Sequence, residues 1–248
     1  MRVVYVMCIR QLKRYYRRRS RIIGSLGQPL LFLVALGFGF GPIYQKAGQG
    51  NYINFIAPGV ISMSILFTSI FSGTEIIWDR QFGFLKETLV APVSRFQIMF
   101  GRTLGGAIVA TIQGLIVLTL TYIVGFRMQN ILLLPVAIII MFLIAMLFTS
   151  FGTAIGSLLD DMQGFQLIMN FLVMPMFFLS GSLFPLNNLP VALKVITAID
   201  PLTYGVDGIR SALVGISHFP LSLDLFILTA LSLILLGIGS YFFSKVQI

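Results

Sequence analysis

Charged side chains are scarce in this sequence of 248 residues, because Asp, Glu, Lys and Arg together make up only 10% of it. Ordinary soluble domains carry about 25%. A soluble domain of this length would need a polar surface, and 17 basic and 8 acidic side chains cannot cover one. Since 57% of the residues are hydrophobic, the composition indicates a membrane protein.

The residue types that most enzyme sites require are also nearly absent. The chain has one cysteine, Cys8, and one histidine, His218, which exclude an internal disulfide and a histidine-based metal cluster. None of its five lysines follows a glycine, so the phosphate-binding sequence Gly-Lys-Ser/Thr cannot occur. The adjacent Asp160 and Asp161 are more typical of a helix cap than of a metal pair. We therefore expect no catalytic residue, no metal site and no cofactor in this chain.

Hydrophobic runs of about 20 residues, long enough to cross a bilayer, occur six times. They cover residues 22–42, 52–74, 103–125, 131–158, 164–183 and 221–243. No run has a charge at its centre, whereas ion-coupled carriers usually keep ionisable groups within their spans. The sequence thus predicts an all-α membrane protein, one transmembrane domain over 1–248, whose transport energy would come from another chain.

The distribution of Lys and Arg predicts the orientation of these spans. Eight of the 17 basic residues lie in the first 21 positions. With both termini inside, the cytoplasmic segments hold 13 basic residues and the outer segments four. The net charge of +9 is therefore interpreted as membrane orientation and lipid contact, and no nucleic-acid partner is expected.

Residues 1–21 have the pattern of a helix lying in the membrane interface. Apolar and aromatic side chains recur at helical spacing on one face, and basic side chains occupy the opposite face. The basic face, expected to contact anionic lipid head groups, consists of Arg10, Lys13, Arg14, Arg17 and Arg21. The alternative is a disordered basic tail, which the helical period of both faces disfavours.

Charge is concentrated again at residues 75–102, where "WDRQFGFLKETLVAPVSRFQIMFGR" follows the second span. An apolar stripe at spacings of three and four predicts a short amphipathic helix within 78–92. Such a helix needs a surface that covers the stripe, so we expect it to dock on a partner; the alternative is a solvated loop with interface-anchoring arginines. The candidate docking residues are Arg80, Phe82, Leu85, Lys86, Glu87 and Leu89.

The boundaries of the next helix also follow from this stretch. Pro92 is expected to end the docking helix, because the residue before a proline avoids the helical region. Ser94 and Gln97 have the spacing of a capping box, so the following helix should begin there. Arg95 and Arg102 share a face of that helix and are expected to reach toward lipid head groups.

The segment 184–220 predicts two short outer helices rather than a seventh span, because charges interrupt it. The first should cover about 188–198, and the second should begin with Asp200 as its cap and a proline at its first position. A pair between Asp207 and Arg210 is expected one turn apart. The candidate residues of this re-entrant or outer segment are Pro190, Asp200, Pro201, Tyr204, Asp207 and Arg210.

Glycines four residues apart predict close approach between spanning helices. The pairs are Gly37 with Gly41, Gly101 with Gly105, and Gly152 with Gly156. They indicate a packed bundle but do not identify which helices meet.

These stretches together resemble the permease subunits of ABC-2 type ABC transporters. "PLLFLVALGFG" resembles the family's first span, and "GFLKETLVAPVSRFQIMFGR" resembles its coupling-helix loop. "FLSGSLFPLNNLP" followed by "IDPLTYGVDGIR" resembles the family's hallmark between spans five and six. The family usually has Asn where this chain has Asp200, and both residues cap helices.

The resemblance implies a permease without its own ATP site, paired as a homodimer or with a related permease, and bound to two copies of a separate ABC ATPase that binds ATP and Mg²⁺. It also implies export across a bacterial or archaeal plasma or inner membrane. Because the spans are uncharged, we expect an amphipathic or hydrophobic cargo, a drug or a lipid, as in multidrug efflux. The alternatives are export of a polysaccharide or lipid-linked glycan and, from another class, a membrane scaffold that does not transport.

Overall fold

The computed structural model of the protein describes residues 2–48, 50–84, 93–187 and 189–244, and within these ranges the chain forms ten α-helices and no β-strand. The helices are α1 (Arg2–Arg17), α2 (Arg19–Lys46), α3 (Tyr52–Phe71), α4 (Thr74–Gln81), α5 (Arg95–Val124), α6 (Leu134–Leu158), α7 (Met162–Leu179), α8 (Val191–Ile199), α9 (Pro201–Val214) and α10 (Leu221–Ser244). A short 3₁₀ turn, Ile131–Leu133, precedes α6.

Six helical stretches are long and apolar enough to cross a membrane, which confirms the predicted fold class. They are Ile22–Lys46, Tyr52–Gln81, Arg95–Val124, Ile131–Leu158, Met162–Leu179 and Leu221–Ser244. The second combines α3 and α4, and the third begins about two turns before the predicted start. Both extensions carry charged residues, which a search for apolar runs leaves out.

The spans alternate in direction, so the bundle has two ends. One holds α1, α4, the start of α5 and the turn between α6 and α7, and we call it the α1 end. The other holds the hairpin formed by α8 and α9, and we call it the hairpin end.

The core of the bundle is built around α3. In span Tyr52–Gln81, 78% of the most apolar stretch is buried, against 17% in Ile22–Lys46 and 22% in Met162–Leu179. Helices α5, α6 and α9 pack around α3, and α10 packs along α6. Helices α2 and α7 therefore lie at the periphery, with most of their apolar surface outside the core of this chain.

Small residues lie where the helices approach most closely. A Cβ at Gly73 would overlap the backbone of Gly152, and one at Gly152 would lie 2.9 Å from the Cα of Ile70. Gly101 and Gly105 instead seat α1, since a Cβ at either would lie 2.9 Å from a side-chain atom of that helix. Two of the predicted glycine pairs therefore mark the contacts of α6 with α3 and α4, and of α5 with α1.

Three predicted caps are present at the helix starts. Ser94 accepts a hydrogen bond from the Gln97 N–H, and Asp161 accepts one from the Gly164 N–H. Asp200 accepts one from the Leu202 N–H. These side chains satisfy backbone donors that the first turn of a helix leaves without partners.

Candidate functional site

A cluster of charges at the α1 end joins α1 to the second and third spans. Asp79 is 2% exposed and accepts hydrogen bonds from three arginines. Arg102 of α5 forms the buried ion pair, Arg10 contacts both carboxylate oxygens at 3.3 Å, and Arg14 contacts one at 3.1 Å. One carboxylate therefore holds three helices together.

A second carboxylate strengthens the attachment of α1. Arg14 donates a hydrogen bond of 3.3 Å to Glu75, which lies one turn before Asp79 on α4. Two members of the predicted basic face, Arg10 and Arg14, thus contact carboxylates of the same chain. Lys13 and Arg17 are exposed, and the side chain of Arg21 lies outside the described residues.

Arg102 was predicted to reach toward lipid head groups, and this prediction is wrong. Its side chain is 3% exposed and paired with Asp79. A buried guanidinium requires a counter-charge, and the carboxylate on α4 provides one. Arg95 remains exposed and donates to the carbonyl of Ser244 at 2.7 Å, near the end of α10.

Arg80 links the end of α4 to the turn between α6 and α7. It forms an ion pair with Asp160 and donates to the carbonyls of Ser157 at 2.9 Å and Leu159 at 3.2 Å. The last two carbonyls belong to the C-terminal end of α6, where a cation is favourable. The end of α4 is therefore fastened to the turn between α6 and α7, and we call this contact the loop latch.

The predicted docking helix does not run continuously from residue 78. Helix α4 ends at Gln81, and Gly83 has a φ of 77°, a conformation that breaks a right-handed helix. Phe82 is 62% exposed and stacks on Trp78, with ring centroids 5.5 Å apart. The other docking residues, Leu85, Lys86, Glu87 and Leu89, lie with the rest of 85–92 outside the described residues.

At the hairpin end, α8 and α9 form the two predicted short helices. Pro190 precedes α8, Asp200 caps α9, and Pro201 occupies the first position of that helix. The Tyr204 hydroxyl donates to the carbonyl of Ala198 at 2.7 Å, which ties the two helices across their turn.

Helix α9 lies inside the bundle rather than on its surface. A Cβ at Gly205 would approach Ile144, which lies ten residues into α6, or about 15 Å at 1.5 Å per residue. Charged residues and a helix turn at such a depth are tolerated when protein surrounds them. The hairpin therefore enters the bundle from the hairpin end and extends into its interior.

The predicted pair between Asp207 and Arg210 is replaced by other contacts. Asp207 accepts hydrogen bonds of 2.8–2.9 Å from the backbone N–H groups of His218 and Phe219. Arg210 donates to the carbonyl of Gly181 at 2.8 Å and lies 4.2 Å from the ring centre of Phe55. Each buried charge thus fixes a different neighbouring loop to α9.

Sequence reasoning missed a polar chain in the wall between α1, α2 and α5. The Tyr15 hydroxyl donates to the side-chain oxygen of Gln113, whose amide donates to the Ser25 hydroxyl at 3.0 Å. Gln113 is fully buried. A polar side chain within an apolar span was the signal that could have predicted these hydrogen bonds.

Comparison with known proteins matches residues 2–214 to the family described as ABC-2 type transporter. A protein named putative transport permease ycf38 from Cyanophora paradoxa is 30% identical over 214 residues, which are 84% of this chain and 72% of that protein. Its namesake in Porphyra purpurea is 30% identical over 79% of this chain and 68% of its own. Nodulation protein J of Rhizobium leguminosarum bv. viciae is 27% identical over 79% of this chain and 76% of its own.

Proposed function

Since the chain belongs to the ABC-2 type transporter family, we propose that it is the membrane-spanning permease subunit of an ATP-driven exporter. In this proposal it contains no ATP site and binds a separate ABC ATPase, with two permease chains and two ATPase chains per transporter. The α1 end faces the cytoplasm of a bacterial or archaeal cell, because most Lys and Arg residues lie there.

The loop latch is the observation that carries the proposal. Arg80 joins the end of the second span to the turn between the fourth and fifth spans through Asp160 and two carbonyls. A displacement of the segment after Arg80 would therefore move three spans together. This is the mechanical connection that a permease driven by an outside ATPase needs.

Exposed aromatic rings beside the latch support the position of the ATPase. Trp78, Phe82 and Phe84 are 47%, 62% and 50% exposed at the α1 end. Exposed apolar patches of this kind mark surfaces that a partner covers. We propose that the ATPase docks on Phe82 and on the segment 85–92 that follows it.

Phe82→Ala is expected to lower the permease-stimulated ATPase activity by several-fold, because an aromatic anchor dominates a small interface. The measurement is ATP hydrolysis by the purified complex in nanodiscs. Phe96→Ala is the matched control, since Phe96 is 53% exposed at the same end but lies on α5. Equal activities of the two variants would count against docking at Phe82.

The proposed cargo is an amphipathic or hydrophobic molecule, a drug or a lipid. A second candidate is a lipid-linked glycan or polysaccharide, which is favoured by the polar lining, including Gln11, Ser25, Gln28 and Thr68, of a cavity at the α1 end. Vesicles containing the complex, assayed with each cargo class, separate the two. Transport that continued without ATP would refute the exporter, and failure of any ATPase to co-purify would favour the scaffold.

A further inference from the structure

A cavity of about 290 Å³ opens at the α1 end between α1, α2, the second span and α5. Ligand pockets for small molecules typically occupy about 300–1,000 Å³. The cavity is therefore large enough for the head group and the first part of the chain of an amphiphile, but not for a whole lipid.

The rim of the cavity is polar and carries charges of both signs. Arg14 and Arg18 line it together with Glu75, so the basic charges exceed the acidic ones by one. Arg18 is exposed, whereas Arg14 is held in place by Glu75 and Asp79. A fixed and an exposed guanidinium at one rim suit an anionic group such as a phosphate.

The lining also includes an apolar surface. Phe67, Phe71, Pro29 and Val109 form it, and Ser64 lines the cavity farther along the second span. Ser64 lies eleven residues before Glu75, which corresponds to about 16 Å along the span. The cavity therefore extends from the charged rim well into the membrane.

Hydrogen bonds join two residues of the cavity wall. Tyr15 and Ser25 both line the cavity, and Gln113 bridges them by hydrogen bonds. The junction of α1 and α2 is thereby held against α5.

We propose that this cavity is where the cargo is loaded from the cytoplasmic leaflet, and that it takes an amphiphile with a phosphate head group. The phosphate binds Arg14 and Arg18, and the start of the apolar chain packs against Phe67 and Phe71. This inference rests on the exporter function proposed above and specifies the chemistry of its cargo.

The test measures binding of a fluorescent lysophosphatidic acid to the purified permease–ATPase complex in phosphatidylcholine nanodiscs without ATP. Gly24→Leu fills the cavity, because Gly24 lines it and a Cβ there meets no atom within 4 Å. We expect binding to weaken by about tenfold or more. Gly27→Leu is the control, since its Cβ also meets no atom and Gly27 does not line the cavity; its binding should equal that of the wild type.

The rim has its own matched pair of variants. Arg18→Gln is expected to weaken binding of the probe several-fold, whereas Arg2→Gln, which alters an exposed arginine of α1 outside the lining, should leave it unchanged. Unlabelled lysophosphatidic acid should displace the probe, and lysophosphatidylcholine should displace it less well. Equal binding within each pair of variants would overturn the site, and equal displacement by glycerol phosphate would assign it to free phosphate instead of a lipid.

Transport by the same complexes separates failure of this inference from failure of the proposed function. We expect Gly24→Leu to lose ATP-dependent export of the phosphate amphiphile and Gly27→Leu to retain it. Normal export by Gly24→Leu would overturn the loading role and leave the exporter function standing. Cavity-dependent binding without ATP-dependent export of any amphiphile would refute the exporter function and the loading role together.

Discussion

Replacing Asp79 with alanine is expected to destabilise the protein by about 3–5 kcal/mol, the cost of removing one partner from a buried ion pair. Asp79 and Arg102 are both 3% exposed at their side chains, so the guanidinium would remain buried without its counter-charge. The change also removes contacts of Arg10 and Arg14, which hold α1. We therefore expect faster proteolysis within residues 2–17 as well as a lower unfolding temperature.

Asp160→Ala is the control for this prediction. Asp160 also pairs with an arginine, but its side chain is 86% exposed, and exposed pairs contribute about 0–1 kcal/mol. Unfolding temperature and limited proteolysis of the two variants in the same detergent make the comparison. A similar loss of stability in both variants would show that burial of Asp79 is not the cause of the destabilisation.

Gly152→Ala is expected to destabilise the bundle by about 3 kcal/mol, the upper part of the range for overpacking. The added Cβ would lie 2.9 Å from the Cα of Ile70 and closer still to its carbonyl oxygen. These are backbone atoms of α3, so no side chain can rotate to relieve the contact. Helices α3 and α6 would have to separate along the centre of the core.

Gly39→Ala is expected to stabilise the protein, in contrast to Gly152→Ala. A Cβ at Gly39 meets no atom within 4 Å, and alanine is favoured over glycine in a helix by up to about 1 kcal/mol. Denaturation curves of both variants, measured with the wild type, test the prediction. If both substitutions shifted stability in the same direction, the close contact of α3 with α6 would not be the cause.

The features that could be predicted from the sequence are those that short stretches determine. An apolar run of span length is visible locally, and so are the caps, because Ser94 and Asp200 bond to N–H groups within three residues of themselves. The break at Gly83 could not be predicted in this way, because the apolar stripe continues past it and only the positive φ reveals it.

The contacts of the charged residues could not be predicted, because their partners are distant in the sequence. Arg80 meets Asp160 across 80 positions and Arg10 meets Asp79 across 69. Arg210 was expected to pair within its own helix, but the fold places the ring of Phe55 and the carbonyl of Gly181 beside it. Helical spacing predicts which charges share a face of a helix, whereas tertiary packing determines which residues that face contacts.

The attachment of α1 to α4 has a consequence for how the protein is made. Arg10 and Arg14 leave the ribosome more than 60 residues before Asp79, so their final partners do not yet exist. Until the second span is inserted, the basic face of α1 can be neutralised only by anionic lipids at the membrane surface. Capture by Asp79 then follows insertion of the second span, so α1 reaches its final position only after two spans are in the membrane.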